Sequence, residues 1–159
     1  MSRSSIICDP DKCIGCSICE FVCSAVKEKS VDPMHSRIRV INLEPTCSMA
    51  ITCRLCENPP CVKACPRDAL KQNEVTGVIQ INEDRCTGCG WCINACDFGA
   101  ISLHPKMGVV MICDLCDGDP ECIKYCPFNE ALSFTTIDEL AHSLRRDAIE
   151  KLVLEFGEM

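Results

Sequence analysis

Sixteen of the eighteen cysteines in this chain of 159 residues fall into four groups of four, which we call tetrads 1 to 4. The tetrads are, in order, Cys13, Cys16, Cys19 and Cys23; Cys53, Cys56, Cys61 and Cys65; Cys86, Cys89, Cys92 and Cys96; and Cys113, Cys116, Cys122 and Cys126. Tetrads 1 and 3 have the spacing C-x2-C-x2-C-x3-C, which is typical of [4Fe–4S] ligation. Tetrads 2 and 4 lengthen the middle gap to four and five residues. The pattern predicts four cubane clusters.

Three other uses of cysteine compete with this interpretation. A disulfide framework needs an oxidising compartment, and residues 1–8 contain no apolar export segment, so we expect no export on a signal of this chain's own. Structural zinc sites use paired C-x2-C hooks separated by a longer loop. A metallothionein-like metal store would not need hydrophobic strands and a long helix. The spacing favours iron–sulfur clusters over all three.

Composition narrows the function further. The formal net charge is −7 before any cofactor is counted, and each oxidised cluster with four thiolates adds about −2. Such an acidic protein is not expected to bind nucleic acid. No apolar run approaches the ~20 residues of a membrane helix, so we expect no direct membrane insertion. Aromatic residues make up only 4 % of the chain. Cluster ligation should therefore supply folding free energy, and the metal-free chain should be largely unfolded.

The elements that position the cysteines are predicted to be short. Strands are expected at residues 6–8 and 78–81, and an extended segment at 37–43. Hairpins are expected over 70–81, turning near Thr76 and Gly77, and over 101–111, turning at 105–108. Short helical turns should follow Cys23, Cys61 and Cys92.

The tail differs from the rest of the chain. Apolar residues recur at helical spacing from Ile137 to Phe156, with Thr136 or Asp138 as the candidate cap. An amphipathic stripe predicts a buried face without saying what buries it. The helix packs on its own protein in one interpretation and docks on a larger subunit in the other.

Residues next to the ligands invite more specific predictions. Gly15 and Gly88 precede the second cysteine of their tetrads, where a missing Cβ allows a tight backbone path beside a cluster. Trp91 contacts a cluster or a partner, or packs in a surface loop. Cys8 and Cys47, outside the tetrads, are expected to be small buried hydrophobes, with Cys47 as an alternative ligand. The histidines, which form no pair at ligand spacing, are expected at the surface: His35, His104 and His142.

The sequence contains no phosphate-binding glycine loop, no nucleophile elbow and no histidine–carboxylate pairing. We therefore expect no active site, and electron transfer rather than bond chemistry. The leading hypothesis is an electron-transfer subunit of a multisubunit oxidoreductase. The alternatives are a free polyferredoxin that shuttles electrons between enzymes and a redox or metal sensor.

Three stretches carry a family resemblance: residues 54–61 (RLCENPPC), 86–92 (CTGCGWC) and 113–122. They resemble the four-cluster iron–sulfur subunits of the dimethyl sulfoxide reductase type, over about residues 6–135. Compact members accompany hydrogenases, carbon monoxide dehydrogenases, formate dehydrogenases and tungsten aldehyde oxidoreductases. The resemblance implies an α+β fold with two ferredoxin-like lobes in residues 1–135, each binding two clusters with little regular secondary structure. A C-terminal helix in residues 136–159 is a possible docking element.

The same resemblance implies which tetrads share clusters. Tetrads 1 and 4 form one lobe, and tetrads 2 and 3 the other. The implied ligand sets are Cys13, Cys16, Cys19 and Cys126; Cys23, Cys113, Cys116 and Cys122; Cys53, Cys56, Cys61 and Cys96; and Cys65, Cys86, Cys89 and Cys92. Spacing alone leaves open a sequential pairing of tetrad 1 with 2 and of tetrad 3 with 4.

The chain departs from the family pattern in two ways. Ser24 and Asp97 stand where a proline can follow a tetrad, without removing a ligand. The linkers are short (24–52, 66–85 and 97–112) and lack the insertions of membrane-linked members, which favours a cytoplasmic complex. The implied partners are a larger catalytic subunit containing tungsten, molybdenum or nickel and a redox acceptor or donor. Compactness and the tail helix favour the tungsten aldehyde oxidoreductase type.

Overall fold

The structure, a computed structural model, describes residues 3–43 and 47–156. Its strands form four separate antiparallel pairs. These are β1 (Ser4–Cys8) with β8 (Leu132–Thr136), β2 (Arg39–Leu43) with β3 (Cys47–Ile51), β4 (Leu70–Gln72) with β5 (Ile79–Ile81), and β6 (Ile101–Leu103) with β7 (Val110–Ile112). Short helices lie between them, so the predicted α+β class is confirmed.

Four helices follow one rule along the chain. They are α1 (Ile18–Glu28), α2 (Pro60–Lys63), α3 (Trp91–Asn94) and α4 (Glu121–Lys124). Each begins one residue before the third cysteine of its tetrad. Helix α1 packs against α4, and α2 packs against α3. Tetrad 1 is therefore beside tetrad 4, and tetrad 2 beside tetrad 3.

The pairing of β1 with β8 joins the two ends of the cysteine-rich region. Ser4 lies opposite Thr136, and Cys8 lies opposite Leu132. The predicted strand at residues 6–8 and both predicted hairpins are present, but β3, β8 and α4 were not predicted. A five-residue strand is stable only when it is paired, and the partner of β8 is more than 120 residues away in sequence. Local patterning carries little information about such a strand.

Cysteines and aliphatic side chains share one core. Ile6, Leu55, Ile79, Ile112 and Leu132 are buried within it. They are interleaved with the buried cysteines Cys19, Cys53, Cys61, Cys92, Cys113 and Cys122. All six of these cysteines belong to tetrads. As thiolates they would be buried charges, which are stable in a core only when a cation offsets them.

The tail forms the predicted helix, α5 (Ile137–Phe156), which packs at its base against β8. Thr136 and Glu139 form a capping box at its start. The amide of Glu139 donates to Oγ1 of Thr136 at 3.2 Å, and the amide of Thr136 donates to the Glu139 carboxylate at 2.9 Å. Apolar side chains along the helix remain exposed, among them Ile137, Leu144, Ile149, Leu152 and Val153. In the part of the chain that the structure describes, no helix has both the length and the apolarity to cross a membrane.

The two glycines of the ligand loops each lie against a hairpin. Gly88 has φ +63°, and a Cβ on it would lie 2.2 Å from the carbonyl oxygen of Gly108 in the β6–β7 turn. Gly15 has φ +72°, and a Cβ there would meet side-chain oxygens of Asn42 and Ser48 in the β2–β3 hairpin. Both glycines adopt the positive φ of a tight backbone path, but the close neighbour found beside each is a hairpin, and the predicted approach to a cluster stays a prediction.

We predict that Gly88→Ala lowers the thermal midpoint and iron content of the purified holoprotein more than Gly90→Ala. Both glycines have positive φ, which costs an alanine about 1–2 kcal/mol. A Cβ at Gly90 would meet nothing within 4 Å, whereas at Gly88 it must displace backbone. Gly90→Ala is thus the control for the conformational cost alone. Equal losses in the two variants would refute the importance of the contact with Gly108.

Candidate iron–sulfur centres

The cysteines of the tetrads surround enclosed volumes in the core. In residues 3–43 and 47–156, no three histidine, cysteine or acidic side chains converge closely enough to hold a single metal ion. Groups of four cysteines instead lie around four regions, which we call sites I to IV. Each group draws three cysteines from one tetrad and one from another.

Sites I and IV are small and similar in lining. Site I is lined by Cys13, Cys16, Cys19 and Cys126. Site IV is lined by Cys65, Cys86, Cys89 and Cys92. Aliphatic side chains such as Val40 and Leu132 at site I and Leu70 and Val110 at site IV complete the walls. Both cavities combine four soft sulfur donors with an apolar lining.

Sites II and III lie between them. Site III is lined by Cys53, Cys56, Cys61 and Cys96, around a larger space that opens towards solvent. Site II groups Cys23, Cys113, Cys116 and Cys122. Burial above all, followed by the neighbouring thiols Cys113 and Cys23, raises the pKa of Cys122. Burial, with Cys23 as a charged neighbour, raises the pKa of Cys113 to about 12.

The fourth cysteine of three tetrads accepts a hydrogen bond from the backbone. The amide of Arg37 donates to Sγ of Cys23 at 3.3 Å, that of Ala69 to Cys65 at 3.3 Å, and that of Ala100 to Cys96 at 3.4 Å. Such N–H···S bonds favour a ligating thiolate and tune cluster potential. The donor set, the cavities and these bonds together fit [4Fe–4S] clusters.

Burial and hydrogen bonding act on the thiols in opposite directions. Burial, helped by the negative charge of Glu20, raises the pKa of Cys19 to about 12, and burial raises that of Cys61 to about 11. At Cys65 burial also opposes ionisation, but backbone hydrogen bonds from Ala69 and its neighbours outweigh it and hold the pKa below the ordinary value. Cys19 and Cys61 therefore ionise near neutral pH only when a cation offsets their charge, as iron does.

Neighbour relations give the four sites an order. Helices α1 and α4 carry ligand candidates of both site I and site II, and α2 and α3 do the same for sites III and IV. Sites II and III are neighbours, because a negative charge on Cys53 of site III helps to raise the pKa of Cys113 of site II. Cys16 at site I and Cys89 at site IV are exposed, whereas sites II and III have no exposed cysteine. The order is I, II, III, IV, with an opening to solvent at each end.

Several residues outside the tetrads do not lie where the sequence suggested. Cys8 is buried as expected and accepts the amide of Ala50 at 3.2 Å, but Cys47 is exposed on β3, so that prediction was wrong. Trp91 is 64 % exposed beside site IV. The prediction that the histidines lie at the surface was wrong for His35 and His104, which are buried with their rings 4.9 Å apart. Their separation of 69 residues hid this contact.

Comparison with known proteins was made on sequence and on fold. The model of a 4Fe-4S dicluster domain family matches residues 46–136. The chain is 44 % identical over 124 residues to the polyferredoxin-like subunit of an aliphatic sulfonate oxidoreductase from Pyrococcus furiosus, covering 78 % of this chain and 72 % of the relative. It is 35 % identical over 147 residues to the thiosulfate reductase electron transfer subunit PhsB of Salmonella typhi, covering 82 % and 74 %.

The fold also occurs in a solved complex, the active site complex BamBC of benzoyl coenzyme A reductase as isolated. The similarity covers 98 % of this chain and 92 % of that chain, with a TM-score of 0.51 and 25 % identity. The relatives are iron–sulfur electron-transfer subunits of oxidoreductase complexes, and this chain is an iron–sulfur electron-transfer protein of that kind that binds more than one [4Fe–4S] cluster. The matched domain and the identity to these relatives together place it in a known group: the chain belongs to the 4Fe-4S dicluster domain family.

Proposed function

We propose that this chain relays electrons through four [4Fe–4S] clusters between a catalytic oxidoreductase subunit and a redox acceptor or donor. The succession of neighbouring sites I to IV, with an exposed cysteine at site I and another at site IV, is the observation that carries the proposal. The ligands are Cys13, Cys16, Cys19 and Cys126 at site I; Cys23, Cys113, Cys116 and Cys122 at site II; Cys53, Cys56, Cys61 and Cys96 at site III; and Cys65, Cys86, Cys89 and Cys92 at site IV.

The protein's part in this function is to hold and tune the clusters. Each bound cluster would supply one-electron chemistry at its site. Buried side chains such as Leu55 and Leu115 exclude water from the middle sites. Amides directed at Cys23, Cys65 and Cys96 stabilise negative charge on sulfur. The chain thereby sets cluster potentials while bond chemistry takes place in a partner.

The partner is proposed to be a larger catalytic subunit, of the tungsten or molybdenum aldehyde oxidoreductase type. Two relatives support a complex: one is a subunit of an aliphatic sulfonate oxidoreductase and the other is an electron transfer subunit of thiosulfate reductase. A cytoplasmic location belongs to the same proposal. Use of sixteen cysteines as cluster ligands, as proposed here, rather than in disulfides is what a reducing compartment favours.

Helix α5 is proposed as the docking element for that subunit. Leu144, Ile149, Leu152 and Val153 are between 50 % and 63 % exposed along it. The helix leaves β8, and β8 pairs with β1 beside site I, because Leu132 of β8 lines that cavity. A subunit bound to α5 would therefore lie on the side of the molecule that carries site I.

The pairing of tetrads predicts a specific pattern of iron loss. Cys19→Ser should remove about four irons, one cluster, and destabilise its neighbour. The double variant Cys19→Ser with Cys126→Ser changes site I alone, so it should lose little more iron than the single variant. Cys19→Ser with Cys122→Ser affects sites I and II and should lose about eight. Iron and sulfide analysis of the anaerobically purified proteins gives the counts.

Cys47→Ser is the control, because Cys47 is exposed and outside every site, and its iron content should equal that of the wild type. Sequential pairing of the tetrads would put Cys19 in a different cluster from both Cys122 and Cys126. Equal iron losses in the two double variants would therefore contradict the proposed ligand sets.

A test of docking changes the exposed apolar face of α5. Leu144→Gln with Leu152→Gln should keep full iron content but reduce co-purification of a catalytic subunit at least tenfold, because both leucines are exposed in the free chain. The control variant is Arg146→Gln with Glu150→Gln on the same helix. It should co-purify with the catalytic subunit to the same extent as the wild type does. If the catalytic subunit co-purifies with the leucine variant as well as with the wild type, the docking proposal is refuted.

The function itself is tested by anaerobic purification of the native protein from its source, followed by metal analysis and identification of what elutes with it. We expect a large subunit with tungsten or molybdenum. If the large subunit contains nickel instead, the partner is a hydrogenase or carbon monoxide dehydrogenase. An isolated chain containing only iron and sulfide would favour a free polyferredoxin instead.

A further inference from the structure

Site III differs from the other sites in the charge of its first ligand loop. The residue after the first cysteine is Ile14 in tetrad 1, Arg54 in tetrad 2, Thr87 in tetrad 3 and Asp114 in tetrad 4. Only tetrad 2 therefore places a cation between its first two cysteines. A cluster with four thiolates is negative, and reduction adds one more negative charge. A cation at this position favours the reduced form of a bound cluster.

Tetrads 2 and 4 carry these residues on similar loops. Both loops read Cys-x-Leu-Cys, and both leucines are buried with a positive φ, +51° at Leu55 and +60° at Leu115. Arg54 and Asp114 therefore hold equivalent positions with opposite charges. The charge of Asp114 is offset, because Nζ of Lys27 lies 2.7 Å from its carboxylate. Arg54 forms no ion pair with an acidic side chain among those that the structure describes.

An aromatic ring holds the Arg54 side chain beside site III. The guanidinium carbon of Arg54 lies 5.9 Å from the centre of the Phe98 ring, which is a cation–π contact. Arg54 and Phe98 both line the cavity that the four cysteines of site III surround. Arg54 directly follows Cys53, and Phe98 follows Cys96 by two residues. The contact therefore joins the two segments whose cysteines share this site, and it keeps the cation next to them.

One acidic residue lines the same cavity. Asp97 directly follows Cys96 and is exposed, and its charge opposes that of Arg54. Glu57, in the loop after Cys56, is exposed as well. Arg54 is only partly exposed, and salt screens exposed charges more strongly than partly buried ones. The guanidinium is therefore the charged side chain that acts most strongly on site III.

We infer that Arg54 raises the reduction potential of the cluster at site III, and that Phe98 is the residue that positions Arg54. When one electron arrives from a neighbouring site, the guanidinium stabilises the added negative charge, and no bond is formed or broken and no proton is taken up. This inference rests on the proposed cluster at site III. It makes one side chain outside the ligands decide how readily electrons enter the middle of the relay.

The test is the midpoint potential of each cluster, measured by anaerobic redox titration of the holoprotein with EPR detection. Arg54→Gln should weaken reduction of one cluster about tenfold, which lowers its midpoint potential by about 59 mV for one electron. Arg54→Lys keeps the positive charge and should restore most of the potential. Arg146→Gln, the same substitution at an exposed position of α5, should leave every potential unchanged.

Phe98→Leu is the second variant, because it removes the ring that positions Arg54 and keeps the charge. Phe98 is half-exposed, so an apolar replacement should leave the fold and the iron content intact. The potential of the same cluster should fall, but by less than in Arg54→Gln. Cys56→Ser assigns the signal, because it changes a ligand candidate of site III and of no other site.

Iron and sulfide content separates this inference from the proposed function. Fewer than four clusters in the wild type would defeat the proposed function, and the inference with it if site III is the empty site. With four clusters present, an unchanged potential in Arg54→Gln would overturn the inference alone. So would an equal fall in Arg146→Gln, or a fall in a cluster whose signal Cys56→Ser leaves intact. If Arg54→Gln fails to assemble its cluster, an unchanged potential in Phe98→Leu overturns the inference instead.

Discussion

Burial of sulfur is the constraint on which this molecule depends. Six of the sixteen tetrad cysteines lie in the same core as its aliphatic side chains. Burial raises the pKa of Cys19 and Cys113 to about 12, so these thiols do not ionise unless a cation offsets the charge. Iron supplies that charge when a cluster binds. Cluster binding and folding are therefore two aspects of one equilibrium.

Helices α1 to α4 determine at which site each buried cysteine lies. Each begins beside the third cysteine of a tetrad, and the fourth cysteine follows four residues later. The third and fourth cysteines of a tetrad lie at different sites, so each site includes one cysteine from a second tetrad. This exchange accompanies the packing of α1 against α4 and of α2 against α3.

The surroundings of the sites differ in ways that matter for function. Sites I and IV each have an exposed cysteine, and sites II and III have none. Backbone amides at Cys23, Cys65 and Cys96 stabilise negative charge at sites II, IV and III respectively. The network from Cys23 through Arg37 and Glu28 reaches the buried histidine pair. Polar groups outside the ligand candidates would therefore tune the potential of a cluster bound at these sites.

Cysteine spacing by itself determined the type of cofactor, because three ligands on a short loop depend only on local geometry. The same is true of the hairpins after tetrads 2 and 3 and of helix α5. Cysteine spacing left open which tetrads share a site. The sequence pattern also missed strand β8, the exposure of Cys47 and the contact of His35 with His104. These features join residues far apart in sequence, and only the packing of helices and strands brought them together. Tertiary structure therefore decided the order of the sites and what surrounds them.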